Sequence, residues 1–157
     1  MQDKYNLELL QERIGYRFKD EHLLFQALTH KSYANERQIN KTESYERLEF
    51  LGDAVLELVS SEFLFHKYVD LPEGELTKMR ASMVCEQSVA YCARDLNIGD
   101  FVLLGKGEEC TGGRSRDSIT SDAMEAIIGA IYLDGGMEEA KKFVDKFVLT
   151  DLENKQL

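Results

Sequence analysis

Between residues 119 and 133 the chain reads Ile119-Thr120-Ser121-Asp122-Ala123-Met124-Glu125-Ala126-Ile127-Ile128-Gly129-Ala130-Ile131-Tyr132-Leu133. On a helical wheel, at about 100° per residue, apolar or small residues cover nearly the whole circumference. A helix of that kind is normally buried. The stretch therefore predicts a core helix over 118–133, closed by Gly135-Gly136, in an all-α domain. Asp122 and Glu125 break the pattern. At i and i+3 they share one side with Ala126 and Gly129, and two like charges in a buried helix need a cation or a proton to neutralise them. An Arg or Lys from another helix would serve as well, and this helix alone does not choose. Gly129 would let another backbone come close to the pair.

Helical periodicity recurs outward from this stretch. Leu7, Leu10 and Ile14 follow Asn6 as a cap, and Leu23, Leu24, Ala27 and Leu28 follow Asp20. Residues 32–44 are polar and read as a loop. Ser44 is placed to cap a long helix that reaches about Tyr68, where Asp70-Leu71-Pro72 ends it. Helices are expected over 73–84, 86–96 and 138–148, a short strand or extended connection over 100–104, and a glycine-rich loop over 105–116. On the long helix Leu48, Leu51, Val55 and Val59 line one face, and Glu46, Glu49, Asp53 and Glu57 run roughly opposite. Such an acidic stripe is usually a solvated face. Phe50, Ala54 and Leu56 flank it closely, however, so a groove is also compatible.

The chain has 157 residues, a length that fits one domain with a real core. Its net charge is −10, which argues against broad electrostatic attraction to nucleic acid or to an anionic membrane. No long apolar run or basic-then-apolar leader is present, so neither a membrane span nor a signal peptide is expected. Cys85, Cys92 and Cys110 show no CxxC spacing and read as reduced cysteines of a cytoplasmic protein, with Cys85 and Cys92 on one buried helical face.

If the two acidic faces meet, Glu49, Asp53, Asp122 and Glu125 form an all-oxygen cage. Hard divalent cations prefer such ligands, and Mg2+ suits a site in which several waters remain. Zinc fits poorly, because His22, His30 and His66 are scattered without ligand spacing. The glycines of 105–113 lack the GK[ST] ending of a phosphate-binding loop.

The run Glu46-Arg47-Leu48-Glu49-Phe50-Leu51-Gly52-Asp53-Ala54-Val55-Leu56 resembles the signature of the ribonuclease III family. Supporting matches are Ala27-Leu28-Thr29-His30-Lys31-Ser32, Pro72-Glu73-Gly74-Glu75-Leu76, Gly112-Gly113-Arg114 and Asp122 through Gly136, in the family's order. The resemblance implies an all-α, dimeric endonuclease domain over 1–150. It implies that Glu49, Asp53, Asp122 and Glu125 are the catalytic, metal-binding carboxylates, with Glu46 and Glu73 as accessory acids and Phe50 as a dimer contact. It further implies Mg2+, with Mn2+ able to substitute, and double-stranded RNA as substrate, cut to 5′-phosphate and 3′-hydroxyl ends with two-nucleotide 3′ overhangs. Processing of rRNA, mRNA and small RNAs by a cytoplasmic homodimer belongs to the same expectation. Residues 151–157 read as the start of a linker to a double-stranded-RNA-binding domain that the sequence does not include, and Thr120-Ser121 stands where the family commonly has Leu-Ala.

Duplex RNA is selected by shape, phosphates and 2′-hydroxyls more than by base identity. The candidate contacts are Lys31, Arg37 and Lys41 in one locally basic segment, and Arg114 and Arg116 in the glycine-rich loop. A non-catalytic RNA-binding or dimerisation module and a hydrolase of small phosphate esters are the competing readings. The first would be expected to have lost one of the four carboxylates, and none is lost.

Overall fold

The structure is a computed structural model; it describes the backbone of residues 2–150 and the side chains of residues 7–150. Nine α-helices are present among the described residues: α1 (Gln2–Ile14), α2 (Glu21–Ala27), α3 (Lys31–Glu36), α4 (Glu46–Lys67), α5 (Glu73–Val84), α6 (Glu86–Asp95), α7 (Lys106–Cys110), α8 (Asp117–Gly135) and α9 (Met137–Phe147). As its composition requires, α8 is the core element. Ala123, Met124, Ala126, Ile127, Ile128, Ala130 and Ile131 are wholly removed from solvent. They are covered by α2, α4, α6 and α9. The all-α expectation holds, and the sole β-type pairing among the described residues is one parallel bridge, Thr29 to Leu103.

The closest helix pair is α4 and α8. Gly52 and Gly129 lie at their crossing, where the two backbones touch with no side chain between them. A Cβ added to Gly52 would fall on the Glu125 carbonyl and lie 3.0 Å from the Gly129 nitrogen. A Cβ on Gly129 would collide with the Leu48 carbonyl in the same way. Glu49 and Asp53 flank Gly52, while Asp122 and Glu125 precede Gly129 on α8. The crossing therefore brings both acidic faces to one place.

Several local expectations are corrected. The first helix starts at Gln2 and runs through Asn6, so Asn6 is no cap. Residues 32–44 are not an open loop, since they contain α3 and a 3-10 turn, Lys41–Glu43, capped by Asn40. Ser44 does not cap α4: its buried hydroxyl has no hydrogen-bond partner, and the helix begins from Tyr45. Residues 100–104 begin in a 3-10 turn, Ile98–Phe101, and are extended from Val102, with one bridge at Leu103.

The glycine-rich segment holds α7 and another turn, Gly113–Ser115. It is fixed by one long-range contact, the Glu36 carboxylate accepting the Lys106 N–H, and by a pairing within the segment, Arg116 with Glu108. Leu56, read as flanking the carboxylates, is fully buried in the core. Cys85 sits at the α5–α6 junction rather than on one helical face with the buried Cys92. Residues 151–157, read as the start of a linker, lie outside the described residues. No described helix is long and apolar enough to cross a membrane.

Candidate metal centre

Glu49 projects from the first turns of α4, where its N–H donates to the Tyr45 carbonyl at 2.8 Å. Asp122 and Glu125 come from the first half of α8. Carboxylate oxygens of these three residues lie within 4.8 Å of one another, all partly buried, with Glu125 the deepest. Asp53, one turn after Glu49 and exposed, stands at the rim, where it can accept from a protonated Glu125, as Asp122 can from a protonated Glu49.

Without a counter-charge this arrangement keeps protons. Burial, then the charge of Asp53, then the Asp53 hydrogen bond push Glu125 up to about 9. Burial, followed by the charges of Asp122, Glu46 and Asp53, raises Glu49 to about 7. Burial and the charge of Glu86 raise Asp122 to about 6. An Arg or Lys partner, which the sequence left open, is not supplied. Among the described residues every ion pair joins other groups, and none involves Glu49, Asp53, Asp122 or Glu125. The donor set is all oxygen, clustered and short of positive charge, which fits a hard divalent cation.

A profile of the ribonuclease-III-like family matches residues 20–152. This chain belongs to that family. Ribonuclease 3 of Bacillus velezensis is 55% identical over 138 residues, which cover 88% of this chain and 55% of the relative. Ribonuclease 3 of Bacillus cereus is 55% identical over 141 residues, covering 90% of this chain and 58% of that protein. The chain thus spans little more than half the length of these relatives. The nuclease domain of Campylobacter jejuni ribonuclease III superposes with a TM-score of 0.85 at 49% identity, covering 92% of this chain and 96% of the other. That structure is described as showing flexibility in a region involved in dimer formation. A second structure of the same domain gives 0.83 at 50% identity, over 91% and 93%. The all-helical fold is the family's nuclease-domain fold.

The family's remaining candidate positions are dispersed. Glu46 is exposed at the rim, close enough to raise both Glu49 and Asp122. Glu73 is not brought to the cluster within one chain; it begins α5 and lines a shallow cleft of about 240 Å³ with Leu64, Phe65 and Arg80. Phe50 is 82% exposed beside a cleft of about 800 Å³ lined by Leu23, Arg47, Leu51 and Leu133.

Lys31 and Lys41 are exposed, and the Arg37 guanidinium lies 4.7 Å from the centre of the Tyr33 ring. Arg114 is spent internally: it donates to the carbonyls of Gly99, at 3.0 Å, and Val102, at 2.6 Å, and pairs with Glu109 at 3.1 Å. Arg116 pairs with Glu108 and donates to the Thr111 carbonyl at 2.9 Å. Tyr45 and Glu86 were not singled out from sequence, yet both lie within electrostatic reach of Asp122. Neither has a motif of its own, and only the packing of α4 and α6 on α8 brings them there.

Proposed function

We propose that this chain, over residues 1–150, is the nuclease domain of an Mg2+-dependent endoribonuclease that hydrolyses both strands of double-stranded RNA. The products are 5′-phosphate and 3′-hydroxyl ends with two-nucleotide 3′ overhangs. One observation carries the reading: three partly buried carboxylates converge within 4.8 Å, and no described basic side chain pairs with them. Bound by Glu49, Asp53, Asp122 and Glu125, Mg2+ or Mn2+ would acidify an attacking water and offset charge on the departing 3′ oxygen. The chain's own contribution is geometric. Glu125, the deepest, with Glu49 and Asp122 beside it, would hold the ion, and Asp53 and Glu46 would shape the open rim. Lys31, Arg37 and Lys41 take RNA phosphates, while Arg114 and Arg116 hold the neighbouring loop in place.

Dimerisation completes the enzyme in this reading. Phe50, Ala54, Leu58 and Phe65 recur at helical spacing along the exposed side of α4, and the three larger ones are 82%, 58% and 68% exposed. An apolar stripe of that length marks an interaction surface. Phe50 packs into the partner's cleft beside Leu51 and Leu133. By the family resemblance we place the protein in the cytoplasm, processing structured rRNA, mRNA and small RNAs.

The test offers labelled duplex RNA, single-stranded RNA and a small phosphodiester to the protein, with Mg2+ and with chelator. Staggered, Mg2+-dependent cleavage of the duplex alone is expected, abolished in Glu125→Ala while the protein stays folded. Retention of duplex without cleavage would make the chain a binding module. Turnover of the small ester alone would make it a different hydrolase.

A further inference from the structure

Behind the first turn of α4 lies a buried network that the metal ligands do not include. His30 is only 5% exposed and precedes α3 as its N-cap. Its Nδ1 accepts the Ser32 N–H at 3.1 Å and the Ser32 hydroxyl at 2.7 Å. That hydroxyl accepts the Gly105 N–H at 2.8 Å. With Nδ1 occupied as an acceptor, the neutral ring carries its proton on Nε2. The ring stands edge-on to Tyr45, centroids 5.6 Å apart and planes at 80°.

Tyr45, itself 4% exposed, is the residue from which α4 starts. Its carbonyl accepts the Glu49 N–H at 2.8 Å, and its own N–H donates to Thr29 at 2.8 Å. The same short segment is held from its other side. Leu103 donates to the Leu28 carbonyl at 2.8 Å and accepts the His30 N–H at 3.1 Å. Capping alone does not call for an imidazole, since Ser, Thr, Asp and Asn are the favoured N-caps. What the ring adds over those side chains is its face-to-edge contact with Tyr45.

We propose that His30 is a positioning residue of the metal centre: its imidazole, locked by Ser32, fixes Tyr45 and through it the turn of α4 that presents Glu49. This rests on the metal-centre reading above. The imidazole touches Ser32 of α3 and Tyr45 at the start of α4 directly, and reaches the Gly105 loop only through the Ser32 hydroxyl.

The test compares His30→Asn and His30→Ala with wild type. Asn retains a cap acceptor for the Ser32 N–H but removes the ring. The readouts are the thermal upshift on titration with Mg2+ or Mn2+, and kcat and KM on duplex RNA. His30→Asn is expected to melt near wild type in metal-free buffer and to need about tenfold more metal for half its upshift. It should lose kcat with KM little changed. Tyr45→Leu should show the same defect, and the double variant should be no worse than either single one, because both act through one contact. A wild-type metal midpoint and kcat in His30→Asn would reduce His30 to a cap and overturn the proposal, as would full additivity with Tyr45→Leu. If the wild type binds metal yet cuts no duplex, the nuclease reading fails, while the metal midpoints still decide the role of His30.

Discussion

Glu125 is where the electrostatics of single residues matter most. Held up to about 9 in the metal-free fold, with Glu49 near 7 and Asp122 near 6, it takes up protons that the unfolded chain has already released. Carboxyls with raised folded-state values give stability that is complete below the unfolded value, about 4 to 4.5, and is lost as pH rises through the folded ones. The metal-free melting temperature should therefore fall by several degrees between about pH 5 and pH 9. Saturating Mg2+ should raise it far more at pH 8 than at pH 5, and Glu125→Gln should flatten the profile, all readable by scanning calorimetry. A pH-independent melting curve would contradict this account.

Asp134 behaves in the opposite sense. It accepts the Tyr16 hydroxyl at 2.6 Å and the Lys19 and Asp20 N–H groups at 2.9 and 3.0 Å, contacts that hold its pKa below the usual range despite partial desolvation. Its contribution is present above the unfolded value and lost in acid. Helical spacing alone put Asp122 and Glu125 on one face and left Glu49 on a stripe that reads as solvated; it was the resemblance of the Glu46–Leu56 run to a family signature that joined the three. The lack of a basic partner, and the places of His30 and Tyr45, were not legible, because they depend on which distant segments meet.

At the scale of elements, the meeting of α4 with α8 sets the geometry. Any side chain at position 52 must displace the Glu125 carbonyl. Gly52→Ala should cost about 3 kcal/mol in urea denaturation, at the upper end of overpacking effects, and should weaken the metal-induced upshift as well. Wild-type stability in that variant would show that the helices can separate freely. Long helices were readable because their apolar period repeats over several turns. The short ones were not. In α3 Ala34 is the one buried residue, so no period exists to detect. Similarly, α7 carries two glycines at its margin and owes its order to Glu36 and Arg116, groups remote in sequence or held by other elements. Ser44 looked like a cap from its residue type, but the chain enters α4 through Tyr45, whose N–H is claimed by Thr29.

For the molecule as a whole, the proposed function together with a net charge of −10 and a narrow basic segment at Lys31, Arg37 and Lys41 predicts weak, local affinity for RNA. Replacing any one of the three by Ala should lower duplex affinity at low salt and reduce the slope of log affinity against log salt by about one. An unchanged slope would remove that residue from the interface. Phe50→Glu should shift the sedimenting species to a monomer without unfolding it; a persistent dimer would place the contact elsewhere. The Gly52–Gly129 crossing has a consequence for how this molecule breathes. Backbones in direct contact leave no slack for one helix to slide or fray past the other. Amide protons around positions 52–56 and 124–131 should then exchange with solvent only when the entire domain opens, so the segments that hold the cluster should be the last to yield.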